Sequence, residues 1–305
     1  MINLPSVRHL RHLMAFGRAA EACHVTQSTL SASIKELESV LQVTLVDRSK
    51  RSVVLTPVGV ETVERARKIV KEIEELVSFT TASREPLSGT LRMGTIPTIG
   101  PFLLPRVLPR LRKTYSSLKL YLVEDLTERL IASLHRGELD VVLLALPRDC
   151  GAVETVVLFK DPFVVGLQRG HPLAKENGIK PQNLLDEDLL LLKDGHCLRD
   201  HALAALRRLA NRRIAEFEAT SLTTLVQMVD NGLGTTLLPT LAVDAGLLLG
   251  TSLITRPLLT DEPARNIGLI WRRGTGRREE FRLLAKELTQ HAKATFASLS
   301  PRAAE

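Results

Sequence analysis

Cysteine is scarce in this chain, which has only three in 305 residues, at positions 23, 150 and 197. Three cysteines cannot build a disulfide framework, and without a C-x-x-C pair they offer no ordinary zinc site. The opening residues, MINLPSVRHL, lack the apolar core of a secretory signal, and no apolar run reaches the length of a membrane span. We therefore expect a protein of the reducing cytoplasm, with no metal and no cofactor.

The composition is that of a folded protein with an anionic partner. Hydrophobic residues make up 44% of the chain, which is enough to bury sizeable cores, and the length suits two or three domains. The formal net charge is +7. This basic balance favours nucleic acid as a partner without proving one.

The first 57 residues have the pattern of a winged helix-turn-helix. FGRAAEACHVTQSTLSASIKELESVL predicts two helices broken at CHVTQ, and the second has an apolar stripe at spacings of three and four. The stripe consists of Leu30, Ile34, Leu37 and Leu41. Thr26 or Ser28 is suited to cap this helix. The candidates for DNA contacts are Thr26, Gln27, Ser28, Ser31 and Lys35 on the helix, and Arg48, Lys50 and Arg51 on a basic wing. A small helical protein-binding domain is the alternative.

A long helix follows, in VGVETVERARKIVKEIEELVSF, and it has a heptad-like apolar seam. The seam consists of Val63, Ala66, Val70, Ile73 and Val77. A bare seam on one helix predicts a homodimer, and the alternative is that the seam packs on its own domain. The segment SREPLSGT then predicts a hinge.

From residue 89 onward, strands and helices alternate. TLRMGTI, LKLYLVED and LDVVLLAL predict strands, with the helix TERLIASLHRG before the third, so we expect a mostly parallel sheet with right-handed crossovers. Sheets of this kind bind ligands beyond the carboxyl ends of their strands. GTIPTIG and KDGHCLRD both lie at such ends.

KDGHCLRD places Cys197 where a strand gives way to a helix. A reactive thiol must ionise more easily than an ordinary one, because the thiolate is the nucleophile. His196 and Arg199 are its neighbours, and a helix beginning near Leu198 would point its amide end at the sulfur. The alternatives are a buried core cysteine and a core histidine.

Three stretches carry a resemblance to a known family. They are GTIPTIGPFLLPRVLP, DGHCLRD and ATSLTTLVQMVDNGLGTTLLPTLAV. On these stretches, and on its order of segments, the chain resembles the LysR-type transcriptional regulators, and within them the peroxide-sensing OxyR regulators. The chain departs from the family in one place, at LRHLMAFGRAA. The family's first long helix has about six more residues at this point, and six residues correspond to roughly 9 Å of helix.

The resemblance implies a particular architecture. An N-terminal winged helix-turn-helix would occupy residues 1–57, a linker helix for dimerisation 58–87, and an α/β, two-lobed, periplasmic-binding-protein-like effector domain 88–305. The first lobe would comprise 89–162 and 266–300, and the second 163–265. The family usually works as a homotetramer, a dimer of dimers.

The resemblance also implies further members of an effector pocket. It places Arg265 near the thiol as another positive charge, and Thr98 and Thr127 as hydroxyl groups of a cavity suited to peroxide. Thr98, Thr220 and Ser221 would equally line a cleft for a small effector. Helix capping is the alternative for Thr98 and Thr127.

Attack of Cys197 on hydrogen peroxide would give a sulfenic acid. In two-cysteine members of the resembled group a second cysteine then closes a disulfide, and Leu206 stands at the matching position here. Three outcomes stay open. The sulfenic acid persists or is capped by a small thiol, Cys150 resolves it, or the protein responds to a small ligand instead. Cys23 is interpreted as structural.

The function implied is a DNA-binding regulator that senses hydrogen peroxide through Cys197 and controls oxidative-stress genes as an activator. Its partners would be promoter DNA, other copies of itself and RNA polymerase, with no membrane involved. One alternative is a LysR-type regulator of a small carboxylate or aromatic effector. A thiol peroxidase is the alternative from another class, but the chain has no evident resolving cysteine and no redoxin C-x-x-C, so we expect no enzyme.

Overall fold

The computed structural model describes residues 27–48, 54–82, 86–206, 214–261 and 263–296. The chain divides into two compact units, Met1–Arg84 with Arg136–Glu138, and Glu85–His135 with Leu139–Glu305. Several predicted features lie outside the described residues, namely the shortened first helix, Cys23, Thr26, Lys50 and Arg51. Within the described ranges, no helix combines the length and apolarity needed to cross a membrane, and no group of three or more potential metal ligands occurs.

The described part of the first unit consists of two helices and a small hairpin. Helix α1 spans Gln27–Leu41, strands β1 (Val46–Asp47) and β2 (Val54–Leu55) pair antiparallel, and helix α2 spans Pro57–Ala82. The start of α1 at Gln27 places Ser28 inside the helix, so Ser28 is not its N-cap.

The first three residues of the α1 stripe and the first three of the α2 seam form one core, whereas Leu41, the fourth residue of the predicted stripe, is exposed. The core comprises Leu30, Ile34, Leu37, Leu45 and Val46 together with Val63, Ala66 and Val70. All eight are at most 5% exposed within the single chain. The expectation of a bare seam is therefore wrong for these three seam positions, because α1 already covers them. Ile73 is half-buried.

The second unit contains nine strands and six helices in its described residues. The strands are β3 (Gly89–Thr95), β4 (Leu118–Glu124), β5 (Val141–Leu146), β6 (Val153–Gln168), β7 (Leu189–Leu192), β8 (Ile214–Ala219), β9 (Thr236–Pro239), β10 (Leu253–Pro257) and β11 (Ala264–Arg272). The α-helices are α3 (Gly100–Thr114), α4 (Thr127–His135), α5 (Cys197–Ala205), α6 (Leu222–Asp230), α7 (Thr240–Asp244) and α8 (Arg278–Thr295). Short 3₁₀ turns occupy Pro172–Lys175 and Pro181–Leu184.

The main sheet is mixed, which corrects the expectation of a mostly parallel one. Its strand order is β10-β6-β11-β5-β3-β4, and β9 also pairs with β6. Only β3 pairs in parallel, with β4 and β5, whereas β11 runs antiparallel to both β5 and β6. The predicted βαβ order around β5 is correct, but the returning strand β11 enters between β5 and β6 and reverses the local direction.

Two hydrophobic cores lie on either side of a point where β6 changes partner. β6 pairs with β11 up to Pro162 and with β9 from Phe163 onward. The first core surrounds β3, β5 and β11 under helices α3 and α8, and the second surrounds β7, β9 and the far half of β6. β6 and β11 therefore connect the two cores, and α5 begins at their junction.

Candidate functional site

Cys197 is the first residue of α5, one position earlier than the helix start expected near Leu198. The preceding loop turns at Gly195, whose φ of +94° is a conformation that residues with side chains rarely adopt. His196 is the N-cap residue. The Cys197 side chain is 4% exposed and packs with the first core, whereas Leu198 packs with the second. The thiol therefore lies at the amide end of a helix, at the place where the two hydrophobic cores meet.

Four of the predicted pocket residues lie around one narrow gap. Cys197, His196, Thr98 and Thr127 line it, together with apolar and backbone groups from three loops. The gap has no room for a water molecule, so hydrogen peroxide enters only if the lining side chains shift. The structure thus brings the predicted thiol and hydroxyl groups together around a space that is closed.

The Thr127 hydroxyl is a polar group without a hydrogen bond among the described residues. Thr127 is 2% exposed and is the first residue of α4, yet its Oγ1 atom makes no capping bond. A buried hydroxyl that gives up water without a replacement partner costs about 1–3 kcal/mol. Its position at the gap is consistent with a hydrogen bond made only when a ligand is present.

Thr98, in contrast, is held by Arg265. The Arg265 guanidinium donates to the Thr98 hydroxyl at 2.8 Å and to the Thr98 carbonyl at 2.9 Å. Its Nε and Nη2 atoms both donate to Asp161 Oδ2 at 3.0 Å. Asp161 also accepts from Leu241 N at 2.9 Å and from Thr240 Oγ1 at 3.2 Å. Burial raises the pKa of Asp161, and the charge of Arg265 and these hydrogen bonds oppose the rise.

The positive charges expected beside the thiol are mostly paired with carboxylates or absent. Arg265 is fully buried in its ion pair with Asp161. Arg199 pairs with Asp194 at 2.8 Å and donates to the Leu192 carbonyl at 3.3 Å, and it does not line the gap. Burial lowers the pKa of His196, so its imidazole is neutral at neutral pH. The expected electropositive pocket is therefore reduced to the amide end of α5.

Thr220 and Ser221 do not join this group. Neither lines the gap at Cys197. Ser221 caps α6, because its hydroxyl accepts from Thr224 N at 3.1 Å. Thr220 is exposed. The capping role that was the alternative for the pocket threonines applies instead to Ser221.

A second, wider space reaches Cys197 from another side. This wide cleft has a volume of about 730 Å³ and is lined by α5, the end of β5 and the crossing points of β6 and β11. Arg148 at its edge pairs with Glu128 at 2.8 Å and with Asp200 at 3.3 Å. His201, one turn after Cys197 on α5, also lines it.

The imidazole of His201 is held neutral. Burial lowers the pKa of His201, and the charge of Arg265 lowers it further. The carbonyl of Cys197, the carboxylate of Asp200 and the carbonyl of Pro147 oppose this shift. Its buried Nδ1 atom has no well-formed hydrogen bond within the described part of the chain. His201 is therefore neutral at neutral pH, and it lies one helical turn after the thiol.

The other thiol and the position of the missing cysteine are both buried. Cys150 is 6% exposed and lines neither space at Cys197, and its carbonyl contacts His135 Nε2 at 2.8 Å. Burial raises the pKa of the Cys150 thiol, the charge of Arg148 opposes this rise, and Asp149 adds to it. Leu206 is 1% exposed in the second core.

The predicted DNA-facing residues of α1 lie away from its core. Ser28 and Lys35 are exposed and Ser31 is half-buried, opposite the apolar stripe. Arg48 is exposed and pairs with Glu38 at 3.3 Å, and Glu38 also accepts from Leu45 N at 2.8 Å. For Gln27 only the backbone is described.

Sequence reasoning missed Asp161, His201 and Arg148. Asp161 had a signal, because it is one acidic residue inside the apolar strand segment VVLFKDPFVVGL. His201 also had one, because residues four apart share a helix face. Arg148 lies just past Pro147, beyond the end of a fully buried strand, where loop residues of α/β sheets often face a ligand.

Comparisons with known proteins agree with this architecture. A bacterial regulatory helix-turn-helix domain of the lysR family matches residues 6–60, and a LysR substrate binding domain matches residues 84–293. The DNA-binding transcriptional dual regulator OxyR of Escherichia coli K12 is 39% identical over 289 residues, which cover 93% of this chain and 94% of that protein.

Two solved structures are also similar. A full-length OxyR variant from Pseudomonas aeruginosa has a TM-score of 0.76 and 35% identity, covering 93% of this chain and 94% of that one. An OxyR mutant from Corynebacterium glutamicum, solved with hydrogen peroxide bound, has a TM-score of 0.68 and 32% identity, covering 97% and 95%. This chain therefore belongs to the LysR family of transcription regulators, with a helix-turn-helix domain and a two-lobed α/β substrate-binding domain.

Proposed function

We propose that this chain regulates transcription in response to hydrogen peroxide, and that the sulfur of Cys197 is the atom that reacts. The observation that carries the proposal is the position of Cys197 at the first residue of α5, beside the unpartnered hydroxyl of Thr127 and the held hydroxyl of Thr98. Relatives with similarity over nearly the whole chain are named as OxyR regulators, and one was solved with hydrogen peroxide bound.

In this proposal the thiolate attacks one peroxide oxygen as the O–O bond breaks, and Cys197 becomes a sulfenic acid. The other oxygen leaves as hydroxide, which takes a proton from solvent and becomes water. Thr98, Thr127 and His196 position the peroxide, and Arg265 holds Thr98 in place. Arg199, Thr220 and Ser221 support the surrounding loops rather than contact the peroxide.

The rest of the molecule would convert this change into a change of DNA binding. We propose a cytoplasmic homotetramer, with residues 1–57 on promoter DNA, 58–87 as the dimerisation helix and 88–305 as the effector domain. The DNA contacts would come from Thr26, Gln27, Ser28, Ser31, Lys35, Arg48, Lys50 and Arg51. RNA polymerase would be the partner in activation.

The test is a footprint of the full-length protein on its own upstream DNA, with and without hydrogen peroxide. Peroxide should alter the protected region of the unsubstituted protein and leave that of Cys197→Ser unchanged. Cys150→Ser is the matched control and should respond as the unsubstituted protein does. A peroxide response that survives in Cys197→Ser would contradict the proposal.

The wide cleft of about 730 Å³ favours a second candidate, a regulator of a small-molecule effector. In that case Cys197→Ser would keep its response to the effector. The thiol peroxidase alternative is disfavoured, since the relatives compared above are transcription regulators.

A further inference from the structure

The narrow gap beside Cys197 is closed, so an oxidant that enters through it needs a lining group that moves. The gap has no room for a water molecule, and hydrogen peroxide is larger than water. The following inference rests on the proposed function, because it concerns how the oxidant reaches the sulfur.

Most of the groups around the gap are held in place. Five of the lining residues are buried, namely Ile96, Thr98, Thr127, His196 and Cys197. The other three, Pro97, Leu126 and Gly195, are partly or fully exposed. The ring of Pro97 is closed onto its own backbone, and Gly195 has no side chain. Among the described lining residues, Leu126 is therefore the only one outside the buried set whose side chain can change rotamer.

Helix formation and core packing do not explain a leucine at position 126. Leu126 stands directly before Thr127, the first residue of α4. Helices favour Ser, Thr, Asp or Asn at that position, because a short polar side chain caps the free amides and leucine cannot. Leu126 also belongs to neither of the two hydrophobic cores found among the described residues of the second unit. Its side chain therefore serves the gap rather than the fold.

The backbone of Leu126 is fixed, whereas its side chain reaches the opposite loop. Its N–H donates to Asp125 Oδ1 at 2.7 Å, and its carbonyl accepts from Leu130 N at 3.1 Å. Its Cδ1 atom lies 3.3 Å from the point where a Cβ atom would stand on Gly195. Leu126 thus joins the loop before α4 to the loop before α5, and rotation of its side chain opens the gap without moving the backbone.

Leu126 belongs to only one of the two approaches to Cys197. The wide cleft also reaches Cys197, but Leu126 is not part of its lining. An oxidant that arrives through the wide cleft does not meet Leu126. A substitution at this position therefore reports on the narrow gap alone.

We propose that Leu126 is a specificity-determining residue, whose side chain admits hydrogen peroxide to Cys197 and excludes alkyl hydroperoxides. Hydrogen peroxide carries no carbon, whereas the alkyl group of a larger hydroperoxide needs the space that the Leu126 side chain occupies. In both reactions the thiolate attacks the terminal oxygen as the O–O bond breaks, and Cys197 becomes a sulfenic acid. The leaving hydroxide or alkoxide takes a proton from solvent.

The experiment compares hydrogen peroxide with tert-butyl hydroperoxide on the full-length protein. A sulfenic-acid reagent traps the product at Cys197, and mass spectrometry gives the initial rate with each oxidant. Leu126→Ala should lower the ratio of the hydrogen peroxide rate to the tert-butyl hydroperoxide rate by at least about ten-fold, the lower end of what one methylene changes in a hydrophobic pocket. A ratio equal to that of the unsubstituted protein would overturn the proposal.

Two further variants serve as controls. Leu126→Met fills a similar volume and should keep the ratio of the unsubstituted protein. Leu233→Ala removes a leucine that is 44% exposed and lines neither space at Cys197, so it should also keep that ratio. Leu126→Ala should unfold at the same urea concentration as the unsubstituted protein. A loss of stability with an unchanged ratio would assign Leu126 to the fold and contradict the proposal.

A second arm separates this inference from the proposed function. Methyl methanethiosulfonate modifies a thiolate without peroxide, by forming an S–S bond as methanesulfinate leaves. If hydrogen peroxide leaves Cys197 unmodified in every variant, the proposed function fails, and the methyl methanethiosulfonate rate decides the role of Leu126. Leu126→Ala should then raise that rate and Leu126→Met should not. If both hydroperoxides oxidise Cys197 with the same ratio in all variants, the proposed function stands and the role of Leu126 is wrong.

Discussion

At the scale of single residues, two threonines at the same gap have opposite hydrogen-bonding states. The hydroxyl of Thr127 has no partner in the described residues, whereas that of Thr98 accepts from Arg265 at 2.8 Å. Both side chains are 2% exposed. The two threonines are therefore equally buried. Replacing each one in turn distinguishes a hydroxyl that is available to a ligand from a hydroxyl that stabilises the fold.

We expect Thr127→Val to leave the free energy of unfolding unchanged or to raise it by about 1 kcal/mol, because it removes an unsatisfied buried group. The same variant should oxidise more slowly at Cys197. Thr98→Val should cost about 1–3 kcal/mol, since it leaves a guanidinium N–H of Arg265 unpaired. Urea unfolding of the effector unit measures both, and a larger loss for Thr127→Val than for Thr98→Val would contradict this account.

The Arg265–Asp161 pair gives a second residue-scale prediction. Both side chains are fully buried, so Asp161→Asn leaves an unpaired charge in the interior and should cost about 3–5 kcal/mol. The exposed pair of Glu279 and Arg282 is the control, and Glu279→Gln should cost less than about 1 kcal/mol. Equal losses of unfolding free energy in the two variants would show that the buried ion pair stabilises the fold no more than an exposed one.

His201 predicts a dependence of stability on pH. Its pKa in the folded chain is lowered by burial, so the unfolded chain takes up a proton first as the pH falls through about 6.5. The free energy of unfolding therefore decreases below that pH, with carboxylates adding their own effects. His201→Gln should become steadily more stable relative to the unsubstituted protein between about pH 7 and pH 5. A difference that stays constant from about pH 8 to pH 5 would refute this.

At the scale of elements, α1 and α2 depend on each other. Leu37 is fully buried in their shared core, whereas Leu41, one turn later on the same helix, is 37% exposed. Leu37→Ala should destabilise the N-terminal unit by about 2–5 kcal/mol, and Leu41→Ala much less. Thermal unfolding of the two variants, with DNA binding as the signal that reports the folded N-terminal unit, checks this order. Equal effects would mean that α1 does not rest on the α2 seam as described.

The elements also show where sequence patterns succeed and fail. The apolar run of β5 and the start of α5 follow from local composition, because burial and helix capping depend on neighbours in sequence. The antiparallel entry of β11 does not, because pairing partners lie far apart in the chain. The seam of α2 shows the same limit, since Val63, Ala66 and Val70 have the predicted spacing but are buried in one core with α1 of the same chain.

At the scale of the whole molecule, the resemblance to known regulators led to the fold and to the group around Cys197. The charges around the thiol were not foreseen, because Arg265 finds its carboxylate in Asp161, 104 residues away in sequence. Local sequence identifies which residues are charged, but the folded structure determines which of them form ion pairs. The expected electropositive pocket therefore becomes a helix end flanked by neutral and paired groups.

The most direct test of this account is the chemical state of Cys197 after one equivalent of hydrogen peroxide. The full-length protein would be trapped with a sulfenic-acid reagent and digested, and each cysteine would be quantified by mass spectrometry. The account expects the modification at Cys197, with Cys150 unmodified. An unmodified Cys197 under these conditions would contradict the claim that this residue senses peroxide.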